Sequence, residues 1–362
     1  MMTQTNRNSW VILLFPGLAA VFISVITRYP QWIEVRYSQG LFPFLSKLQR
    51  AVSGIFPFSI GDLAYLSIIC LILWRTFKFL KAYKTQEKKK VFLINALRSI
   101  ISFCLWTYCI FYLLWGLNYY REGVIPVFGL KKHAVNKEEI TSLTRELRDS
   151  LHASARFKKY TDSIPHLTNS YETKAASAYR NLQKNFPTIH YEQKSFKASL
   201  FGEFGNYMGI QGYYNPFTGE SQINTYTPSF LIPFVACHEI AHQLGFASES
   251  EANFVGFLAA KDAEDPHVRY SAYLNMFMYA ANQLKRADSL ALKTIVKELD
   301  PDVKADIRTY YTYLEKYQSP LQDGSSLFYD FYLKQNSQKK GIETYGEVTK
   351  WLIAYRKTYG KL

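Results

Sequence analysis

Two stretches of 18 residues, Trp10 to Thr27 and Ile100 to Leu117, carry no charge at all. A third apolar stretch, Ile60 to Leu80, is uninterrupted only from Leu63 to Trp74, with Arg75 and Lys78 near its end. About 20 apolar residues in helical form cross a bilayer core. The first third of the chain therefore reads as a membrane region, residues 1–118, with three transmembrane helices at about 10–27, 60–80 and 97–117. Val91 to Leu97 extends the third on its N-terminal side. Arg75 and Lys78 can snorkel to the headgroups, and Trp10, Trp74, Trp115, Tyr119 and Tyr120 stand where an aromatic belt is expected. Three such runs in 118 residues argue against buried helices of a water-soluble protein.

Charge agrees. The 362 residues carry a formal net charge of +14, which on its own suggests nucleic acid. The first 118 residues hold 13 Lys/Arg and 3 acids, however, against 30 and 26 in the rest. A basic excess that accompanies apolar segments points to a lipid bilayer, and the remainder gives no reason to propose nucleic acid. Residues 75–90 carry Arg75, Lys78, Lys81, Lys84, Lys88, Lys89 and Lys90 against Glu87 alone. By the positive-inside rule this loop is cytoplasmic. That places the N-terminus inside and residues 28–57 and 119–362 outside, in a bacterial inner or cell membrane. Only Arg7 precedes the first apolar run and two more spans follow, so that run reads as an uncleaved anchor. Cys70, Cys104 and Cys109 fall in apolar segments, which leaves Cys237 alone in the outer domain with no disulfide partner there.

The domain at 119–362 reads as mainly helical α+β. Asn136 followed by Glu138 and Glu139 marks a helix start, with helical pattern to about Tyr160. Asn169 and Glu172 have capping-box spacing before a helix that ends near Pro187. Residues 195–226, rich in Gly, Asn and Tyr, read as short strands and a hairpin turning at Asn215-Pro216-Phe217-Thr218-Gly219. Helical pattern then covers about 229–244, 250–262, 268–286, 288–298, 302–317, 320–335 and 344–357.

One motif carries chemistry. His238, Glu239 and His242 form HExxH. At i and i+4 of a helix both imidazoles leave one face and can grip one metal, while Glu239 can act on a water as general base. Gly245 suits a helix stop. A catalytic zinc takes a third protein ligand and keeps one position open. Glu249 is preferred, because Asn253 lies one turn on and can support the site from behind. Glu251, which points about 160° round the helix, is the alternative ligand or simply a charge at a helix N-terminus. Arg269, Tyr270 and Tyr273 are candidate oxyanion stabilisers. The run Asn206 to Asn224 is either an edge strand that pairs with a peptide or a structural hairpin. Cys237 reads as a buried thiol. His133, His152, His166, His190 and His267 read as surface residues.

HExxH followed by Glu249 and Asn253 resembles the gluzincin class of zinc metallopeptidases. The whole chain is similar to an uncharacterised bacterial family of three-span membrane proteins with an outer zincin-like domain. The similarity covers the apolar third, the Gly/aromatic run, His238 to Asn253, and Arg269-Tyr270-Ser271. It implies a zincin-like domain with a small strand-rich region before the HExxH helix. It also implies Zn2+ as cofactor and hydrolysis of peptides or exported proteins, with Glu239 as base. The seven-residue gap from His242 to Glu249 is shorter than in most gluzincins. Two other readings compete: a non-catalytic zinc-binding receptor or scaffold on a membrane anchor, and an intramembrane protease. The second is disfavoured by Glu249 and Glu251, which follow the motif at once, and by the lack of a later apolar span.

Overall fold

A computed structural model of the chain describes residues 4–155, 167–336 and 347–362. Helix α1 (Gln4–Ile26) ends in a 102° bend into α2 (Pro30–Ser53), whose middle, Ile33–Leu41, is wound more widely as a π-helix. Helices α3 (Ile60–Thr85) and α4 (Lys89–Leu114) follow; each is long and apolar enough to cross a membrane, and α1 with α2 makes a third candidate if the bent pair is one span. Two to three apolar helices thus suit a membrane. The Arg75 and Lys78 region of α3 extends as helix to Thr85, and the Lys78 ammonium lies 3.9 Å from the centre of the Trp74 ring.

The third span differs from its expected limits. α4 begins at Lys89 and stops at Leu114, because Trp115 breaks the helix (φ −159°, ψ −37°). Trp115 and Tyr119 are not belt residues. They are buried, 5% and 8% exposed, beneath the C-terminal domain. Residues 33–62, counted with the membrane region on sequence, likewise pack against the domain through one face of α2 and the first turn of α3.

Beyond a 3-10 turn at Gly116–Tyr120, the domain contains α5 (Lys137–Ala155), α6 (Leu167–Asn185), β1 (Phe196–Ala198), α7 (Gly202–Tyr207), β2 (Gly212–Asn215), β3 (Glu220–Ile223), α8 (Ile232–Gln243), α9 (Glu249–Ala260), α10 (Pro266–Ala287), α11 (Ser289–Lys297), α12 (Pro301–Tyr317), α13 (Pro320–Gln335) and α14 (Val348–Tyr359). Asn136 caps α5 in a reciprocal box: its Oδ1 accepts from Glu139 N–H at 2.8 Å, and Glu139 accepts from Asn136 N–H at 3.0 Å. Asn169 and Glu172 lie inside α6 rather than at its start. The expected end of the α5 pattern near Tyr160, the start of the last helix near 344, and His166 fall outside the described residues.

Leu143, Leu147 and Leu151 recur every four residues on α5 and are fully buried, with α10 as the main neighbour. Phe128, Tyr179, Phe254, Phe257, Tyr270 and Phe277 fill the rest of the same core. The sheet has the order β1-β3-β2, with β1 parallel and β2 antiparallel to the central β3. The hairpin turns at residues 215–219 as expected, with Asn215 Oδ1 accepting from Phe217 N–H. The sheet also caps one of the apolar helices. The Glu220 carboxylate accepts the free N–H groups of Ile60 (3.0 Å) and Gly61 (2.6 Å) at the start of α3.

The firmest link between α2 and the domain is a buried ion pair. Arg121 Nη2 lies 2.6 Å from Glu34 Oε1, and Arg121 Nε donates to Oε2. Burial opposes ionisation of Glu34, but the Arg121 guanidinium outweighs it and holds the carboxyl below its ordinary range. Arg121→Ala strands that buried charge and should cost about 3–5 kcal/mol, read by denaturant unfolding of the full chain. A carboxyl with a lowered folded pKa gives its full stabilisation above the unfolded value, about 4.3, and loses it as pH falls through the folded value. On acidification through that range the wild type should lose more stability than Glu34→Gln; equal losses would refute the pair's contribution.

Candidate metal centre

α8 starts with Pro233 in its first turn, and the Phe234 N–H freed by the helix start donates to Ser271 Oγ at 3.0 Å. It ends at Gln243. Gly245 takes a left-handed conformation (φ +86°) and Phe246 N–H returns to the Ala241 carbonyl at 3.1 Å. The helix is buried inside the domain, against α6, α9 and β3, not among the apolar helices. Three carbonyls at its end take donors from α2 and from the segment that follows α4. Trp115 Nε1 donates to His242 O (3.0 Å), Ser46 Oγ and Arg50 Nη1 donate to Gln243 O (2.7 and 3.0 Å), and Arg121 Nη1 donates to Gly245 O (3.1 Å).

His238 and His242 leave one face of α8 with their Nε2 atoms 3.1 Å apart. Glu249, the first residue of α9, brings Oε2 to 3.3 Å from His238 Nε2 and Oε1 to 3.8 Å from His242 Nε2. One ligand atom from each of the three lies within 4.8 Å of the others, so the trio could hold a metal ion. Glu251 is elsewhere. It accepts from Val124 N–H and adjoins Gly123, on the side of Arg121. Of the two glutamates, Glu249 stands with the imidazoles.

Two glycines make this approach possible. A Cβ at Gly256 would sit 3.0 Å from the backbone N and 3.1 Å from the Cα of His238, so α8 and α9 cross backbone to backbone there. A Cβ at Gly212 on β2 would meet Glu239 Oε1 and Val235 Cγ1, both at 2.7 Å. Gly212 therefore leaves the room in which the Glu239 carboxylate stands beside the edge strand. Neither glycine is marked in the sequence, because the contacts each makes are across the fold.

The electrostatics separate the two carboxylates. Burial pushes Glu239 up to about 8; nearby His238 opposes this and Glu249 adds to it. Burial also acts on Glu249, but the His238 and His242 rings and the Tyr329 hydroxyl bring it down to about 2. His242 is lowered to about 4 by burial and by His238. Burial works against a proton on His238 too, yet contact with Glu249 raises its pKa above the ordinary value. His242 Nδ1 is 2.8 Å from Phe246 O, an acceptor, which fixes the proton on Nδ1 and leaves Nε2 as a lone pair aimed at His238. Facing imidazole nitrogens at 3.1 Å need a proton or a cation between them. Buried His238 Nδ1 and Glu239 Oε2 have no hydrogen-bond partner among the described residues. Behind His238 stands Asn253, whose Nδ2 donates to Tyr279 Oη at 3.4 Å.

The expected oxyanion candidates are not at this cluster. Tyr270 donates to Asp306 Oδ2, Arg269 donates to the carbonyls of Ala263 and Glu264, and the Tyr273 ring packs edge-on to Phe257. The local reason is that their part of α10 faces α12 and the core rather than α8's histidine face. The tyrosine that does reach the site is Tyr329 of α13, whose hydroxyl donates to Glu249 Oε1. Tyr119, Tyr279 and Tyr332 also stand near Glu249, whose charge adds to burial in raising their pKa values. Tyr329 lies 80 residues from Glu249, and no local pattern announces it. Cys237 is fully buried, its thiol pushed up to about 12 by burial. His133 and His190 are exposed; His152 and His267 are half-buried.

The family model described as "Protein of unknown function (DUF3810)" matches residues 37–353. The chain belongs to this family. The match runs through α3, α4 and the histidine cluster alike. No curated protein and no solved structure matches the chain.

The helix crossing gives a direct test. Gly256→Ala forces α8 and α9 apart and should cost about 1–3 kcal/mol in denaturant unfolding. Gly324→Ala is the control, since nothing lies within 4 Å of its added Cβ. On an open helix position it should be neutral or stabilise by up to about 1 kcal/mol. Equal behaviour of the two would show that the crossing is not tight.

Proposed function

We propose that the chain is a membrane-anchored zinc metallopeptidase whose domain lies outside the cytoplasmic membrane. The observation that carries this reading is the convergence of His238, His242 and Glu249 on one point beside Glu239, whose buried Oε2 has no hydrogen-bond partner among the described residues. Two imidazoles and a carboxylate suit zinc, and three protein donors leave a position for chemistry. The orientation rests on the basic 75–90 loop, at the opposite end of α3 from the domain.

Held by those three residues, zinc supplies Lewis acidity to a scissile carbonyl and to a water. Glu239 takes the proton of the attacking water and delivers it to the leaving amine. Its carboxylate stands beside the edge strand at Gly212, with the buried Oε2 free of hydrogen-bond partners among the described residues, where it can take up and pass on that proton. His242 is held in the ligating tautomer by Phe246 O. β2 is an edge strand. With Asn224 N–H bonded to Gln211 O and Tyr213 opposite Gln222, the main-chain groups of Gly212 and Tyr214 point away from β3. An extended peptide pairing with them would run past Glu239. Tyr329 is the candidate to stabilise the oxyanion.

Metal content and peptide hydrolysis of the full chain in nanodiscs test the reading. Wild type should hold one zinc and cleave. Glu239→Gln should keep zinc and lose about 10²- to 10⁴-fold in rate, and Glu249→Gln should lose zinc. Gly212→Ala should keep zinc and cleave more slowly, because Glu239 is displaced. Wild type without zinc, or zinc unaffected by Glu249→Gln, sinks the assignment. Zinc in wild type, lost in Glu249→Gln, with no cleavage of any peptide favours the receptor or scaffold reading.

A further inference from the structure

α2 buries several of its polar side chains with three apolar ones on its covered face and leaves a row of large apolar side chains bare. Its covered face carries Glu34, Ser38, Ser46, Arg50 and Ser53 along with Ile33, Tyr37 and Phe42. Leu41, Phe44, Leu48 and Val52 fall within about a quarter of the helix circumference at 100° per residue, opposite Ser46, Arg50 and Ser53. They are 45%, 66%, 53% and 51% exposed. Trp32 and Val35 add to the bare apolar surface on the π-wound part, and Ile55 follows at the other end. A helix lying on a soluble domain shows the reverse pattern, apolar side in and polar side out. Arg36 and Lys47 are exposed as well.

What meets the bare face follows from the chain on either side. α2 is tied at one end to α1 through the 102° bend and at the other to α3, an apolar helix long enough to span. Both junctions, and the end of α4 at Trp115, lie at the domain end of these helices. A segment fixed between two spans, with apolar side chains on one face and basic ones beside them, has the character of an interfacial helix.

We propose that α2 lies in the headgroup layer of the bilayer, with Leu41, Phe44, Leu48 and Val52 in the acyl boundary. Its other face is the seat of the domain. Ser46 and Arg50, one turn apart, both donate to Gln243 O; Gln49 donates to Pro216 O; Arg50 Nε donates to Gln193 O; and Ser53 Oγ pairs with Ser195 Oγ. The end of the HExxH helix is thereby held about one helix diameter, ~10–12 Å, from the lipid. The inference rests on the apolar helices being spans and is independent of peptidase activity.

The test is a depth measurement on the full chain in vesicles of zwitterionic and anionic phospholipid. Exposed Cys70 and Cys104 are replaced by Ser; Cys109 and Cys237 are buried and stay. Single cysteines at Phe44, Leu48 and Val52 carry an environment-sensitive fluorophore, and Leu290→Cys on α11, 72% exposed, is the aqueous control. Each chain must keep the wild-type unfolding transition; three equivalent positions guard against one that does not. The α2 labels should lose fluorescence to a lipid nitroxide near the headgroup, less to one at the acyl terminus, and little to aqueous iodide, with the control reversed. Three results overturn the proposal: iodide quenching like the control (the face is in water), shielding from both quenchers (a second copy or another protein covers it), and strongest quenching from the acyl terminus (α2 sits deep in the bilayer).

Discussion

The C-terminal carbonyls of the HExxH helix are held by α2 and by the segment that follows α4. A helix leaves its last carbonyls short of internal partners; here those carbonyls lie next to the histidine cluster, and His242 O also accepts from Gly245 N–H. Trp115 takes His242 O, Ser46 and Arg50 take Gln243 O, and Arg121 takes Gly245 O. Every donor belongs to α2 or to the segment that leaves α4. The rest of the arrangement depends on this. Arg121 must be held by Glu34, Trp115 must turn out of the line of α4, and α2 must bend back from α1 to bring Ser46 and Arg50 under α8. That is also why the third apolar helix ends earlier than its apolar run does. Its last aromatics are used for packing against the domain, not for anchoring in headgroups.

Gathering His238, Glu239, His242 and Glu249 in one buried place has an electrostatic cost that only a cation or protons can offset. Without a cation the cluster distributes charge unequally. Glu249 stays ionised against the histidines and Tyr329, while at Glu239 burial outweighs the opposing effect of His238 and pushes the group toward its neutral form. The same fold supplies the geometry through absent side chains. Gly256 lets α9 touch the backbone of His238, and Gly212 lets an edge strand pass Glu239. A site of this kind is specified as much by where nothing protrudes as by the groups that converge.

What the sequence made legible is what depends on local spacing. The period of apolar residues locates the helices. Asn136 with Glu139 marks a real capping box, Asn215 to Gly219 a real turn, and His238 with His242 a shared helix face. Glu249 is within reach because only a short turn separates α8 and α9. Tyr270, Arg269 and Tyr273 lie farther along the chain and are not at the cluster, since α10 turns that face to Asp306 and the core. The residues that complete the surroundings, Trp115, Arg50, Gly212 and Tyr329, come from far along the chain. Nothing in a single sequence pairs a tryptophan at the end of a span with a histidine carbonyl 127 positions later. Asn169 and Glu172 show the converse: capping-box spacing also occurs inside a helix whose start is set elsewhere.

The boundary between membrane region and domain follows from the same contacts. Divided at residue 118, the chain leaves the domain with Arg121 but without Glu34, and with Glu220 but without the Ile60 and Gly61 amides. The carbonyls of His242 and Gln243 lose Trp115, Ser46 and Arg50. Each loss uncovers a polar group that the intact fold buries, and a buried donor or acceptor left unmade costs about 1–3 kcal/mol. The effect concentrates at the end of α8 that carries His242, beside the histidine cluster. In physical terms the unit that positions the cluster is therefore the domain with α2 and the ends of α3 and α4 attached. This agrees with a family match that runs from residue 37 to residue 353 without regard to the apolar boundary.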